Sequence, residues 1–107
     1  MSTAPVRTDE QRTQALAKAL ATRQERARVR AALRDRSLQP VDVLLGAGDE
    51  PVWAAMRVSW LLEAVPGIGP ARAQRIMDSV GIAASRRIQG LGDRQRAALI
   101  ALLGDRP

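Results

Sequence analysis

The stretch VPGIGPARAQ, Val65 to Gln74, decides how the rest of this chain is interpreted. It places two glycines and two prolines within five residues, immediately before a segment with helical periodicity. Such a corner is either a tight connection between two packed helices or a binding site for an anion. The second option arises because the first amides of a helix have no intrahelical acceptor and lie at the positive end of the helix dipole. Both interpretations stay open on this stretch alone.

The amino-acid composition indicates an all-α protein without catalytic residues. The 107 residues fit one domain, and they include no Tyr, no Phe and no sustained alternation of the strand type. Cys and His are also absent, which excludes disulfides, zinc sites, Ser-His triads and Cys-His dyads. The 11 carboxylates form no convincing catalytic pair or metal cluster. We therefore expect no enzymatic activity, no metal and no cofactor.

No targeting or membrane-spanning segment is visible in the sequence. The N-terminal residues MSTAPVRTDEQ contain no apolar signal segment, and no apolar run approaches the roughly 18 residues of a membrane span. These features predict a cytoplasmic protein that does not enter a membrane.

The charge of the chain is organised in blocks. The formal net charge is +6, and 16 of the 17 basic residues are arginine. Nine basic and four acidic residues lie in positions 1–36, one and four in positions 37–70, and seven and three in positions 71–107. Two basic blocks flanking an acidic middle favour a polyanionic partner. A general drift toward arginine in a GC-rich genome is the alternative explanation.

A long basic helix is predicted at the N-terminus. Thr8 or Asp9 can cap it, and Ala, Gln, Glu and Arg continue it through residue 36 without Gly or Pro. Leu16 and Leu20 share a face from which Leu33 lies well away, so we expect this helix to dock along only part of its length. An arc of about 80° carries arginines that form either a solvated face or a contact surface. These arginines are Arg12, Arg23, Arg26, Arg30 and Arg34.

Residues 37–104 are predicted to form a helical body. Ser37 can cap a short helix through Leu45, and the stretch GAGDE that follows has the composition of a loop. The next segment, residues 51–65, is apolar on most sides and should be the centre of the core, either as one helix or as two short helices with a break near Arg57. Trp53 and Trp60 lie in this segment, where we expect them to pack in the core rather than stack on a base.

The segment after the glycine corner is predicted to be an amphipathic helix. Gly69 and Pro70 open it, it runs through Val80, and Gly81 supplies the turn that ends it. A buried stripe has the spacing i, i+3, i+4 and i+7, and it comprises Ala73, Ile76, Met77 and Val80. Arg72 and Arg75 fall on the opposite side of this helix. A last helix is expected to be capped by Asp93, to turn Leu99, Leu102 and Leu103 inward, and to end at Gly104.

A second cationic element is the loop ASRRIQGLG, residues 84–92. Ser85, Arg86 and Arg87 lie in this loop. Ile88 and Leu91 can anchor it to the core and hold the two arginines outward. Arginines on a short rigid loop can enter a narrow minor groove or bridge adjacent phosphates. An exposed turn that only aids solubility is the alternative.

The sequence LEAVPGIGPARAQRI resembles the helix-hairpin-helix family, in which the hairpin glycines hold a nucleic-acid phosphate and later Ala and Ile residues pack the second helix. Ala73 and Ile76 occupy those packing positions. The longer order of helix, SRR loop and capped helix is similar to the helix-two-turns-helix module, which also occurs in a ribosomal small-subunit protein and in some repair glycosylases. From about Trp53 to Leu99 the chain closely resembles the actinobacterial integration host factors, and residues 8–45 match them in layout.

This resemblance implies an all-α fold with a long N-terminal helix and a helix-two-turns-helix module at about residues 58–103. It also implies a nucleoid-associated protein that binds duplex DNA with little sequence preference, contacts backbone and minor groove, and alters DNA shape. The family's binding positions fall on Gly67, Ile68, Gly69, Arg72, Ser85, Arg86 and Arg87, to which we add Arg75 and Arg94. Arg23, Arg26, Arg30 and Arg34 form a possible second DNA surface. Members often carry a basic residue where this chain has Pro70, Gln74 or Gln89, which predicts weaker binding or a shifted role.

Two other functions are compatible with the sequence. The same module can bind RNA, and the arginine helix can dock an acidic protein while the hairpin is purely structural. Our main expectation is a protein that is monomeric when free and binds double-stranded DNA without a metal.

Overall fold

The computed structural model describes residues 8–104. Over this range the chain forms six α-helices and two 3-10 turns and has no strand. The α-helices are α1 (Asp9–Arg34), α2 (Pro40–Gly46), α3 (Pro51–Ala54), α4 (Val58–Ala64), α5 (Pro70–Val80) and α6 (Asp93–Gly104), and the 3-10 turns are η1 (Ala47–Asp49) and η2 (Ile88–Gly90). The prediction of an all-α fold is therefore confirmed.

Helix α1 begins at a reciprocal cap. The Thr8 hydroxyl accepts from the Gln11 amide at 3.1 Å, and the Gln11 side chain accepts from the Thr8 amide at 2.9 Å. The helix ends two residues before the predicted position because Arg36 adopts a left-handed conformation with φ of 68°. Thr8, one of the two predicted caps, is thus the residue that starts α1.

Only the C-terminal part of α1 docks on the body. Val29 and Leu33 are buried, whereas Leu16 and Leu20 are 69% and 52% exposed. The molecule consequently measures 60 Å along its longest axis and 25–28 Å across. Partial docking was predicted from the interrupted apolar stripe, and the structure assigns the docked positions to Val29 and Leu33.

The prediction that Ser37 caps the second helix is wrong. Helix α2 begins at Pro40, where the Asp42 carboxylate accepts from the Gln39 amide at 2.9 Å. Ser37 instead closes the end of α1, because its amide donates to Asp35 Oδ1 at 2.8 Å. The predicted loop after residue 45 is also more regular than expected, since α2 includes Gly46 and continues into η1.

The central apolar segment forms two short helices rather than one. Arg57, between α3 and α4, is extended, with φ of −73° and ψ of 143°. The backbone on either side of it pairs with the SRR loop: the Val58 amide donates to the Arg86 carbonyl at 3.0 Å, and the Ile88 amide donates to the Met56 carbonyl at 2.9 Å. The break near Arg57, one of the two predicted options, therefore allows the body to hold the loop.

Eighteen buried apolar residues form one core, drawn from α1, α2, α4, α5, α6 and the segments between them. Leu99 and Leu103 contribute to it, but Leu102 is 48% exposed, so the prediction that Leu102 turns inward is wrong. At 100° per residue, Leu102 lies outside the arc that contains Leu99, Ile100 and Leu103. Arg96 occupies that inner arc instead and donates to the Leu44 carbonyl at 2.9 Å.

Candidate nucleic-acid interface

The hairpin between α4 and α5 exposes backbone at two glycines. Gly67 has φ of 87°, a conformation that favours glycine. Gly69 is extended, and a Cβ atom added to it would meet no atom within 4 Å, so the packing of the protein does not demand a glycine there. The missing side chain instead leaves the backbone open to a partner. Ile68, a predicted binding residue, is buried to 4% exposure, so it anchors the hairpin and offers little side-chain surface.

The start of α5 presents free amide donors next to the hairpin. The first hydrogen bond of the helix runs from the Ala73 amide to the Gly69 carbonyl at 2.9 Å. The amides of Ala71 and Arg72 precede that bond and have no intrahelical acceptor, while Pro70 has no N–H. The positive end of the helix dipole coincides with these donors. The geometry suits an oxyanion such as a phosphate.

Three arginines lie near this corner, on α5 and on α1. Arg72 and Arg75 are exposed on α5, and Ala73 and Met77 of the predicted stripe are buried, with Ile76 and Val80 half-buried. An open depression of about 440 Å³ lies beside the hairpin and is lined by Gly67, Gly69 and Arg34 of α1, together with Glu63. Arg34, one of the arginines predicted to form a second DNA surface, therefore lies beside the hairpin.

The SRR loop is tightly held. Ile88 and Leu91 are buried, as predicted, and the Arg86 amide donates to the Ala83 carbonyl at 3.0 Å. Both arginine side chains are exposed but lie along the surface: Arg86 Nη1 donates to the Gly90 carbonyl at 3.0 Å, and Arg87 Nη1 donates to the Ala55 carbonyl. Both arginines are thus on the outside of the loop, as expected, and each guanidinium is in addition oriented by one backbone carbonyl.

The start of α6 differs from the predicted cap. Asp93 is the first residue of the helix, and the preceding Gly92 amide donates to the Gln95 side chain at 3.0 Å. Gln95 also donates to the Gly81 carbonyl at 3.0 Å, which ties α6 to the end of α5. Arg94, a predicted binding residue, is exposed in the first turn.

The arginines of the predicted sites form no ion pair with a carboxylate in the described part of the chain. Between residues 8 and 104 a single ion pair is present, in which Arg28 Nε lies 2.7 Å from Glu25 Oε1. The hydrogen bond from Arg28, together with a weaker one from Trp53, lowers the pKa of Glu25 to about 2. Arg28 is not a predicted binding residue. Within residues 8–104, no ion pair with a carboxylate therefore offsets the charge of the predicted binding arginines on α1, α5 and the SRR loop.

The two tryptophans support α1 rather than lie deep in the core. Trp53 is half-buried, and its Nε1 donates to Glu25 Oε2 at 2.8 Å. Trp60 is also half-buried, and the Arg30 guanidinium carbon lies 5.3 Å from its ring centroid. Both rings pack against the core, as predicted, but each also contacts a charged residue of α1.

Sequence reasoning missed Arg57. This residue lies opposite Arg87 in an isolated antiparallel bridge, beside a depression that Arg26 also lines. Its signal in the sequence was that it is the single basic residue among positions 37–70, placed at the predicted helix break. Within residues 8–104 there is no group of three or more His, Cys, Asp or Glu placed to hold a metal, and no helix there is long and apolar enough to cross a membrane.

Comparison with known proteins connects this geometry to one family. Residues 33–103 match the family described as the S13-like H2TH domain. The integration host factor of Mycobacterium tuberculosis is 46% identical over 94% of this chain and 95% of its own length. The integration host factor of Mycolicibacterium smegmatis is 47% identical over 90% and 91%, and that of Streptomyces coelicolor is 44% identical over 89% of both chains.

A solved structure supports the same relationship. It is described as sIHF bound to an 8 bp palindromic DNA, and it aligns with a TM-score of 0.78 and 41% identity over 82% of this chain and 99% of that one. The range matched by the family model, residues 33–103, contains both the hairpin and the SRR loop. This chain therefore belongs to the S13-like H2TH domain family and, within it, to the integration host factors.

Proposed function

We propose that this protein is a nucleoid-associated protein that binds duplex DNA with little sequence preference and alters the shape of the DNA. One observation carries the proposal: Arg34 of α1 lies beside the hairpin and Arg26 lies beside Arg87 of the SRR loop. These two positions of α1 are about 12 Å apart at 1.5 Å per residue. The hairpin and the loop thus meet one side of α1 and can face one polyanion.

The hairpin supplies the first part of the proposed contact. The amides of Gly69, Ala71 and Arg72 hold one phosphate, and the side chains of Arg72 and Arg75 extend the contact along the backbone. Gly67 provides the turn and Ile68 anchors it in the core. This arrangement positions the protein on DNA without reading any base.

The SRR loop supplies the second part. Arg86 and Arg87, with Ser85 beside them, engage the neighbouring minor groove or its phosphates, and Arg94 adds charge at the start of α6. Each guanidinium is already oriented by a carbonyl, so little side-chain freedom has to be lost on binding. Since no set of side chains is arranged to read base edges, specificity comes from DNA shape and deformability.

Helix α1 supplies a second DNA surface through Arg23, Arg26, Arg30 and Arg34, all of which are exposed. We propose a division of roles in which residues 8–36 extend the DNA-binding area through the face that carries these four arginines, and residues 37–104 form the body with the module at about 58–103. We further propose that the protein acts in the cytoplasm as a monomer, without metal, cofactor or catalytic activity.

Three neutral residues weaken the proposed DNA binding relative to a basic residue at the same positions. Pro70 removes one amide donor from the hairpin, and Gln74 and Gln89 add no charge to the surface. The Gln74 amide donates to Asp78 Oδ1 at 2.8 Å and is thereby directed along α5. We expect micromolar affinity with a steep salt dependence, about 0.9 units of log–log slope for each phosphate neutralised.

The test is a gel-shift titration of a random 20 bp duplex at two salt concentrations, with the double variant Arg86→Ala, Arg87→Ala. We expect at least tenfold weaker binding and a slope smaller by about two units, because two phosphate contacts are lost. The control is Lys18→Gln with Arg36→Gln, which removes the same charge outside the proposed contacts. Equal slopes for the SRR variant and this control would reject the site, and a clear preference for structured RNA over the duplex would reject DNA as the partner.

A further inference from the structure

A depression of about 220 Å³ lies where α1, the break between α3 and α4, and the SRR loop meet. Arg26, Arg57 and Arg87 line it from these three elements, and Trp60 forms part of its wall. The remaining lining residues are Ala55 and Met56, so no carboxylate contributes to its surface. We refer to Arg26, Arg30, Arg57, Trp60 and Arg87 as the arginine–tryptophan cluster.

Backbone pairing fixes two members of this cluster relative to each other. Arg57 and Arg87 face each other in the antiparallel bridge, which the Val58–Arg86 and Ile88–Met56 hydrogen bonds close on both sides. Met56, Val58 and Ile88 are buried, so the bridge is anchored in the core. The Arg87 guanidinium is additionally held by the Ala55 carbonyl at the edge of the depression. The backbone of both residues and the guanidinium of Arg87 are therefore positioned before any ligand binds.

Trp60 orients a further arginine, Arg30, near the depression. The Arg30 guanidinium lies over the Trp60 ring at 5.3 Å, a cation–π distance, one helical turn beyond Arg26. Unlike a carboxylate, the ring orients Arg30 without cancelling its charge. The nearest acidic residue in the α1 sequence, Glu25, is already bonded to Arg28 and Trp53. Like charges gathered without a counterion repel each other, and an anion in the depression would relieve that repulsion.

We propose that the arginine–tryptophan cluster binds a phosphodiester group of the bound duplex and thereby joins the SRR loop and α1 into one DNA-binding surface. The inference rests on the proposed function, because it assumes that the polyanion is duplex DNA. Arg26, Arg57 and Arg87 line the depression and contact the phosphate. Arg30 adds its charge beside them, and Trp60 is a positioning residue that orients Arg30. Guanidinium groups suit this role because their fixed N–H donors match the oxygens of a phosphate.

The first test removes Arg57, which has no part in the hairpin or in the proposed minor-groove contact. We expect Arg57→Gln to weaken binding of a 20 bp duplex about five- to tenfold and to reduce the log–log salt slope by about one unit. Lys18→Gln, the same charge change on α1, should leave the slope unchanged. If the wild-type protein binds and both variants have equal slopes, this inference is wrong while the proposed function stands. If the wild-type protein does not bind the duplex, both fail.

The second test uses Trp60 as a probe. In a Trp53→Phe background Trp60 is the single tryptophan of the chain, so its emission reports on the cluster alone. Addition of duplex should shift or quench this emission, since the phosphate displaces water and engages the arginine over the ring. Trp60→Leu should weaken binding about two- to threefold while circular dichroism shows an unchanged helix content. Unchanged Trp60 emission at saturating duplex would overturn the inference.

Discussion

The two halves of α1 differ in what supports them. In the docked half, residues 25–34, Val29 and Leu33 are buried, Glu25 bonds Trp53, and Arg30 lies on Trp60. In the projecting half, residues 9–24, every residue is exposed except two, at positions 15 and 22, which are half-buried. One continuous helix thus contains a segment fixed by tertiary contacts and a segment that depends on its own propensity, its cap and its connection to the docked half.

This contrast suggests how α1 works. A 16-residue helix is near the lower limit of stability in water, even when it is rich in alanine. The reciprocal cap at Thr8 and propagation from the docked half keep the projecting half helical. Its arginines are thereby displayed at a distance from the body, as the second DNA surface that we propose requires. Four substitutions, at three levels of expected effect, can sharpen or break this comparison.

The largest effect is expected for Leu33→Ala in the docked half. Leu33 is 2% exposed, so the substitution leaves a cavity between α1 and the body. We expect the free energy of unfolding to fall by about 2–5 kcal/mol. Urea denaturation followed by far-ultraviolet circular dichroism measures it. A loss below about 1 kcal/mol would mean that the docked half contributes little to the fold.

An intermediate, pH-dependent effect is expected for Glu25→Gln. The folded-state pKa of Glu25 is lowered from 4.5 to about 2, chiefly by the hydrogen bond from Arg28, so its ionised form stabilises the fold. This contribution is fully present above pH 4.5 and is lost as the pH falls through 4.5 toward 2. Gln retains an acceptor for Trp53 but does not titrate.

We therefore expect Glu25→Gln to lower stability by about 1 kcal/mol at pH 7, a small value because the ion pair is partly exposed. The difference between the two proteins should shrink as the pH falls from 4.5 to 2. Urea denaturation at pH 7, 4.5 and 3 measures this difference, and Trp fluorescence follows the Trp53 environment. A constant difference across this range would show that Glu25 does not stabilise the docked half through its charge.

The smallest effect is expected in the projecting half. Leu16→Ala and Leu20→Ala make the same chemical change as Leu33→Ala on exposed side chains, and alanine is the better helix former. We expect each to change the free energy of unfolding by no more than about 0.5 kcal/mol. The same denaturation measurement applies. A loss comparable to that of Leu33→Ala would show that these leucines are buried in solution, against another part of the chain or another molecule.

Much of the fold could be predicted from local sequence signals. The cap at Thr8, the proline at the start of α5, the left-handed Gly81 after it and the buried Ala73 and Met77 follow from rules that involve neighbours within one or two turns. The wrong predictions concern residues whose expected role is prevented or taken over by another residue. Ser37 was misassigned because its amide bonds Asp35, and Leu102 because Arg96 takes the inner arc of α6.

The candidate site shows the same division. Glycines and arginines near the hairpin and in the SRR loop were identifiable from their order along the chain. Arg57 was not, because its proximity to Arg87 depends on backbone pairing between positions 30 residues apart. The direction of the Arg87 side chain likewise depends on the Ala55 carbonyl, which lies 32 positions away in sequence.

By itself, the sequence determined the helical class, the glycine corner before α5, the order of the module and the cationic character of its surface. These properties depend on residue type and short spacing, which the chain carries regardless of how its helices pack. The tertiary structure alone decided which half of α1 docks, that Arg34 lies beside the hairpin, and that Arg26, Arg57 and Arg87 share one depression. Such convergence requires burial of residues distant in sequence in one core, and no local pattern specifies that packing.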